Sequence, residues 1–170
     1  MNKYIHFFIF VLLGYITGAS IFFTFLVAPA IFSHFETRLA AEITNVIFPI
    51  YFASGWILGL VIYTLVAVLS IKDKFIIKKL KWFIIMLSIL IISFMALHKA
   101  ILPIGQTLNS RYYFLIDKKK YEEAKQVKNK FSKLHILSSS INLTNITIEI
   151  FLLYSYFNYI YSRKEEENFE

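Results

Sequence analysis

The 170-residue chain predicts an all-α fold: an integral membrane four-helix bundle with an amphipathic helical extension between the third and fourth spans. Three observations carry that expectation. Four apolar runs, Ile5 to Ile31, Ile47 to Ile71, Leu80 to Ile104 and Leu134 to Tyr161, approach or exceed the roughly 20 helical residues that cross a hydrocarbon core about 30 Å thick. Stretches such as Phe83-Ile84-Ile85-Met86-Leu87 are continuously apolar, whereas a membrane β-barrel alternates apolar and polar residues. Helices also satisfy every backbone donor and acceptor within one segment, which a lipid solvent requires. Composition agrees, with 58% hydrophobic residues and a mean hydropathy of +0.61, beyond the balance of a soluble domain. One membrane domain over residues 1–170 is the economical organisation, because between spans only Gly105 to Lys133 is long enough to form structure of its own.

The first run has Lys3 before it and Ala28-Pro29-Ala30 near its end, a loose imitation of a signal peptide. It is much longer than a signal core and three further spans follow, so a retained helix is expected. Gly14-x-x-x-Gly18 in this run and Gly55-x-x-x-Gly59 in the second match the small-x-x-x-small pattern of close helix packing. Within one chain they join its helices; between chains they make a homo-oligomer. Pro29 and Pro103 are expected near span ends, and Pro49 in the first turn of the second helix, where a proline costs least.

The charge of +7 falls mainly on lysines beside apolar spans, which points to anionic lipid head groups as partners rather than to nucleic acid. One face holds Lys3, Lys72, Lys74, Lys78, Lys79, Lys81, Arg163 and Lys164; the other holds Arg38, Arg111, Lys118, Lys119, Lys120, Lys125, Lys128, Lys130 and Lys133. The totals nearly balance, but the lysines packed into the short loop from Lys72 to Lys81 favour cytoplasmic N- and C-termini in a cell inner membrane. With no cysteine, disulfides, thiolate metal sites and redox dithiols are excluded. Tyr121, Ala124, Val127, Phe131 and Leu134 recur every three or four residues, so an amphipathic helix is expected over about 118–133, with Asp117 capping its start and the helix continuing into the fourth span.

The fourth span is the most polar. Ser139, Asn142 and Glu149, with His135 before them and Asn145 beside them, fall on one helical face. An ionised carboxylate near mid-bilayer costs at least about 2.5 kcal/mol, so Glu149 should turn inward, be protonated or lie shallow enough to reach the interface, and lipid penalises the outward orientation of that face. It serves either as hydrogen-bonding glue or as the lining of a polar pathway, and both readings stay open. The sequons at Asn142 and Asn145 lie inside this span and are discounted as glycosylation sites.

His34, His98 and His135 gather toward one membrane face. Neutral imidazoles suit haem b, held by His135 with His98, or a copper or zinc ion held by His135, His98, His34 and Glu149; a structural role for the histidines is the alternative. Lys99, beside His98, is a weak pointer to an anionic ligand, since lysines near helix ends commonly snorkel to water.

Gly18-Ala19-Ser20-Ile21-Phe22-Phe23-Thr24-Phe25-Leu26-Val27-Ala28-Pro29-Ala30-Ile31-Phe32, with its Ala-Pro-x-x-Phe element, resembles the first-helix signature of the transmembrane protein 205-like family. Leu39-Ala40, Phe48-Pro49-Ile50-Tyr51, Pro103 and the Phe131-x-x-Leu134-His135 element, with Asn142, resemble its later segments. The resemblance implies a four-helix membrane protein of poorly defined biochemistry. Its broader grouping contains copper-resistance-D-like proteins and a haem-binding porphyrinogen oxidase, and the human relative is linked to platinum-drug resistance. Metal or haem handling follows from that grouping, with His135 the one histidine in a family motif.

No nucleophile triad, phosphate loop, zinc-protease motif or nucleotide fingerprint is present, so a non-enzymatic protein is expected. Export or tolerance of a metal or small cationic species through the polar face of the last helix is the first functional reading. A haem-binding membrane redox protein and a structural subunit or scaffold of a membrane complex are the alternatives.

Overall fold

A computed structural model describes residues 2–72 and 74–169, and the side chains among them except those of residues 2, 72 and 163–169. The side chains of Lys72, Arg163 and Lys164, which enter the charge count above, therefore lie outside the described residues. Among the described residues every regular element is helical. The chain runs as α1 (Asn2–Phe22), a π-helical segment Phe23–Val27, α2 (Ala28–His34), α3 (Thr37–Lys72), α4 (Phe75–Lys79), α5 (Lys81–Ala96), a second π-helical segment Leu97–Ile101, α6 (Leu102–Asp117) and α7 (Tyr121–Phe169). Four continuous helical stretches, Lys3–His34, Thr37–Ile71, Lys81–Asp117 and Tyr121–Ser162, are long and apolar enough to cross a membrane. Phe7, Phe8, Phe22, Ile50, Ile71 and Ile92 stand exposed on the outside of the bundle. Such an apolar exterior suits hydrocarbon rather than water.

Side-chain partners fix the topology. Along α1 and α7 the bonded pairs His6–Tyr156, Ser20–Glu149 and Thr24–Asn142 rise on one helix as they fall on the other, so the two run antiparallel. The α5–α7 pairs Phe83–Tyr156 and Ser93–Asn145 do the same. With α1 against α3 and α3 against α5, the four crossings close into a ring. The core between them is built from Ile9, Leu13, Ile62, Leu87, Leu90 and Leu152, with Phe83, Phe94 and Tyr156 as the large fillers. Gly55 and Gly59 sit at the α3–α5 contact, where a Cβ would lie 2.7 Å from the Phe94 ring and 2.7 Å from Ile91 Cγ1 respectively. At Gly14 and Gly18 nothing comes within 4 Å of that position.

The helices are longer than the apolar runs, and Pro49 and Pro103 consequently fall elsewhere than expected, while Pro29 lies near the end of the first crossing. The second crossing begins at Thr37, so Pro49 lies well inside α3 and not in its first turn. The third helix does not stop near Ile104; it passes through Pro103 to Asp117. A proline inside a helix lacks an N–H and orphans the carbonyl four residues earlier. For Pro29 and Pro103 those carbonyls belong to Phe25 and Lys99, the central residues of the two π-helical segments. In the widened turns Ala28 N–H donates to Phe23 O and Leu102 N–H to Leu97 O, one residue further back than in an α-helix. At Pro49 the helix stays α, and the orphaned Asn45 carbonyl accepts a hydrogen bond from the Gln106 side-chain amide of α6 at 3.2 Å.

The α6–α7 connection is a three-residue turn. Lys119 N–H donates to Ile116 O and Lys120 N–H to Leu115 O, both at 2.9 Å, with Lys119 left-handed at φ 59°. This is the Schellman pattern, with a lysine where glycine is commonest. Asp117 therefore ends α6 and does not cap the start of α7; its carboxylate instead accepts from both terminal guanidinium nitrogens of Arg38 at 3.2 and 3.3 Å. The basic amphipathic stretch and the fourth span form one unbroken helix, and its inner face packs Ala124 and Val127 against Leu115.

Two outcomes check this packing. Gly55→Val drives methyl groups into the Phe94 ring and should destabilise the detergent-solubilised protein by about 1–3 kcal/mol in thermal unfolding, whereas Gly18→Val should leave the monomer's midpoint nearly unchanged. Gln106→Leu should cost about 1 kcal/mol by stranding the Asn45 carbonyl, and the cost should vanish in a Pro49→Ala background, where the restored N–H reaches that carbonyl.

Candidate functional site

The polar face of α7 turns into the bundle. Asn145 and Glu149 are each 1% exposed, and Ser139 and Asn142 are half-buried. Their partners come from three other crossings. Asn142 donates from Nδ2 to Thr24 Oγ1 at 2.9 Å and accepts at Oδ1 from the Tyr51 hydroxyl at 3.0 Å. Asn145 Oδ1 accepts from Ser93 Oγ at 2.7 Å, and Glu149 Oε1 accepts from Ser20 Oγ at 3.0 Å. Three buried atoms of the same region, Thr17 Oγ1, Asn145 Nδ2 and Glu149 Oε2, have no hydrogen-bond partner.

Above this ladder, toward the end of the bundle that holds His34 and the α6–α7 turn, lies a cavity of about 610 Å³. Phe23, Phe25, Phe32, Phe48, Phe52 and Phe131 give it aromatic walls. Thr24, Tyr51 and Asn142 supply a polar floor. Both π-helical segments border it, through Phe23 to Phe25 on one side and Leu97 and Ile101 on the other. Ser20 precedes Thr24 by one helical turn, so the Glu149 carboxyl lies about 6 Å beyond the floor. Toward the termini Leu152 closes the core, and one turn further His6 Nδ1 meets the Tyr156 hydroxyl at 2.7 Å.

The histidines are placed separately. His135 lines the cavity with its ring stacked on Phe131. His98 Nδ1 accepts from Trp56 Nε1 at 3.1 Å, and the residue is not part of the cavity wall. His34 is exposed, with Nδ1 2.9 Å from its own helix's Ala30 carbonyl. Among the described residues no three His, Asp or Glu side chains gather where a metal could be held, so His135, His98, His34 and Glu149 do not make one centre. His98 spends one ring nitrogen on Trp56, and this donor set does not fit a shared metal ion. Lys99 is exposed. Of the paired glycines, Gly55 and Gly59 touch side chains of α5, while Gly14 and Gly18 take no part in the cavity.

Reading the last helix alone missed the partners Ser20, Thr24, Tyr51 and Ser93, and the buried Thr17 on the same helix as Ser20. Thr17, Ser20 and Thr24 follow steps of three and four on α1, the same one-face signal that marks α7. Tyr51 and Ser93 stand alone in apolar runs and carry no such pattern.

A profile described as a domain of unknown function, DUF4149, covers residues 11–113. The chain belongs to that family. No curated protein and no solved structure matches it. The DUF4149 region holds Thr17, Ser20, Thr24, Tyr51 and Ser93, and most of the cavity's aromatic wall. The acid and amide groups bonded by Ser20, Thr24, Tyr51 and Ser93 come from α7, beyond the matched residues.

Proposed function

We propose that this protein binds a small cation with an apolar body, in the service of its export or tolerance. A single observation carries the reading: a buried carboxyl with an unpartnered oxygen lies one helical turn beyond the floor of an aromatic-walled cavity. Aromatic faces attract cations and apolar surface alike, and a concave, mainly apolar pocket with a few convergent polar groups is the usual form of a small-molecule site. Glu149 supplies the negative charge, while Asn142, Thr24 and Tyr51 orient the occupant at the floor.

A hard divalent ion is a poorer fit, because such ions demand several oxygen ligands and one carboxylate lies here. The resemblance to the transmembrane protein 205-like family, whose human relative is linked to drug resistance, supports a tolerance role.

The test uses purified protein in lipid nanodiscs and two probes of similar body, the tetraphenylphosphonium cation and neutral triphenylphosphine oxide. Equilibrium dialysis should show Glu149→Gln weakening the cation about tenfold or more, equivalent to about 1.4 kcal/mol, while the neutral probe is little changed. Asn142→Leu should weaken both. Cation affinity untouched by Glu149→Gln in a cooperatively unfolding protein would remove the proposal.

A further inference from the structure

Resting on that reading of the cavity, we infer that Glu149 is a proton-exchange site, so that a monovalent cation and a proton compete for one buried carboxyl. Charge balance is the starting point. Removing an ionised carboxylate from water costs several kcal/mol unless an opposite charge and further hydrogen bonds compensate. Glu149 is 1% exposed, makes a hydrogen bond with one hydroxyl, and forms no ion pair among the described residues.

Among the described residues the surrounding elements offer no fixed positive charge at this depth. From α1 come Thr17 and Ser20, both neutral, with His6 several turns away beside Tyr156. From α3 comes Tyr51, whose hydroxyl donates to Asn142. From α5 comes Ser93, bonded to Asn145, while Lys81 lies exposed at the far end of that helix. On α7 the neighbouring titratable groups are Tyr156, two turns on, and His135, near the cavity mouth. His98 is engaged by Trp56. The compensating charge therefore has to be brought in, either as a proton or as an occupant of the cavity.

The unpartnered atoms suit both states. Thr17 Oγ1, one turn from Ser20 on α1, is a buried hydroxyl able to accept or to donate, and Asn145 Nδ2, one turn before Glu149, is a buried donor; neither has a partner. A purely structural carboxyl would have its second oxygen bonded in the resting bundle, because an unpaired polar atom in a lipid-embedded core is expensive. The exchange step is balanced. The O–H bond of the Glu149 acid breaks, the electron pair stays on the carboxylate, the proton leaves to water in the cavity, and the cation takes its place as counter-charge. No redox partner is involved. Because one carboxyl holds one or the other, the two fluxes are coupled in opposite directions.

The experiment is a pH series on the nanodisc-embedded full chain with tetraphenylphosphonium as the probe. Wild-type protein should show a Kd rising about tenfold per pH unit on the acid side of its optimum and a flat Kd on the alkaline side, and should release protons into a weakly buffered solution on binding. Glu149→Gln should bind weakly with no pH dependence. Glu149→Asp, which keeps a carboxyl, should keep the pH dependence, and it preserves the test should the glutamine variant fail to fold. Wild-type binding that is constant from about pH 5 to about pH 9 with no proton released overturns the exchange while leaving the cation site standing. Absence of any binding overturns both.

Discussion

Hydrocarbon offers a polar group nothing to bond to, and that constraint organises the whole molecule. It selects helices, whose backbone is internally satisfied, and it explains how the polar side chains on those helices are handled. The exposed hydroxyls of Thr64, Thr144 and Thr147 fold back to donate to the carbonyls of Leu60, Ser140 and Leu143 within their own helices. The buried Thr44 hydroxyl bonds Ala40 and Ala41 in the same way. It also explains the treatment of the three prolines: two turns widen around the orphaned carbonyl, and a third carbonyl borrows an amide from a neighbouring helix. Against a background in which polar groups are so consistently satisfied, three orphans in one place, Thr17, Asn145 and Glu149, form an exception that packing alone does not require.

How much of this could be read from the sequence follows from where the information resides. Four crossings are legible because apolar run length is a one-dimensional property. The inward turn of Asn142, Asn145 and Glu149 is legible because a helical repeat places them on one face and lipid penalises the other orientation. The helix ends are not, since Thr37 to Asn45 and Gln106 to Asp117 are polar enough to read as loop yet pack as helix against neighbours on the same side of the membrane. The glycine motifs make the limit plain. Gly14-x-x-x-Gly18 and Gly55-x-x-x-Gly59 are identical in pattern, but only the second meets a neighbouring side chain, because a motif on one helix contains no record of what stands opposite. Asp117 fails for a related reason: a capping residue and the last residue of the preceding helix look alike until the turn between them is known.

The proline turns and the cavity have a common origin. A π-helical turn is wider than an α-helical turn and rotates the following residues, so the ridges of the two helices no longer interlock past that point. After α1 and α5 the widened turns both face the cavity, while below them the α-helical portions pack tightly through Leu13, Leu87 and Leu90. The bundle thus opens where the register of two of its four walls changes. Pro29 and Pro103 act at the level of shape, and the large phenylalanines then line the space left between the walls. The ring of aromatic faces is a consequence of that geometry combined with a composition rich in phenylalanine, of which the chain has 18.

The polar stripe of α7 divides atom by atom into groups that are bonded across the bundle and groups that are not. Ser20–Glu149, Thr24–Asn142, Tyr51–Asn142 and Ser93–Asn145 pin α7 to α1, α3 and α5 at three successive turns. A one-residue slip of α7 rotates it by about 100° and would carry Glu149 away from Ser20 toward lipid. These bonds therefore hold the register on which the site depends, and they consume Oε1 of the acid and Oδ1 of Asn145. What remains, Oε2 and Nδ2, is buried and unbonded. A glutamate held at a single oxygen is oriented while its second oxygen stays open. That combination of a fixed side chain and an open second oxygen is the feature on which the proposed cation site rests.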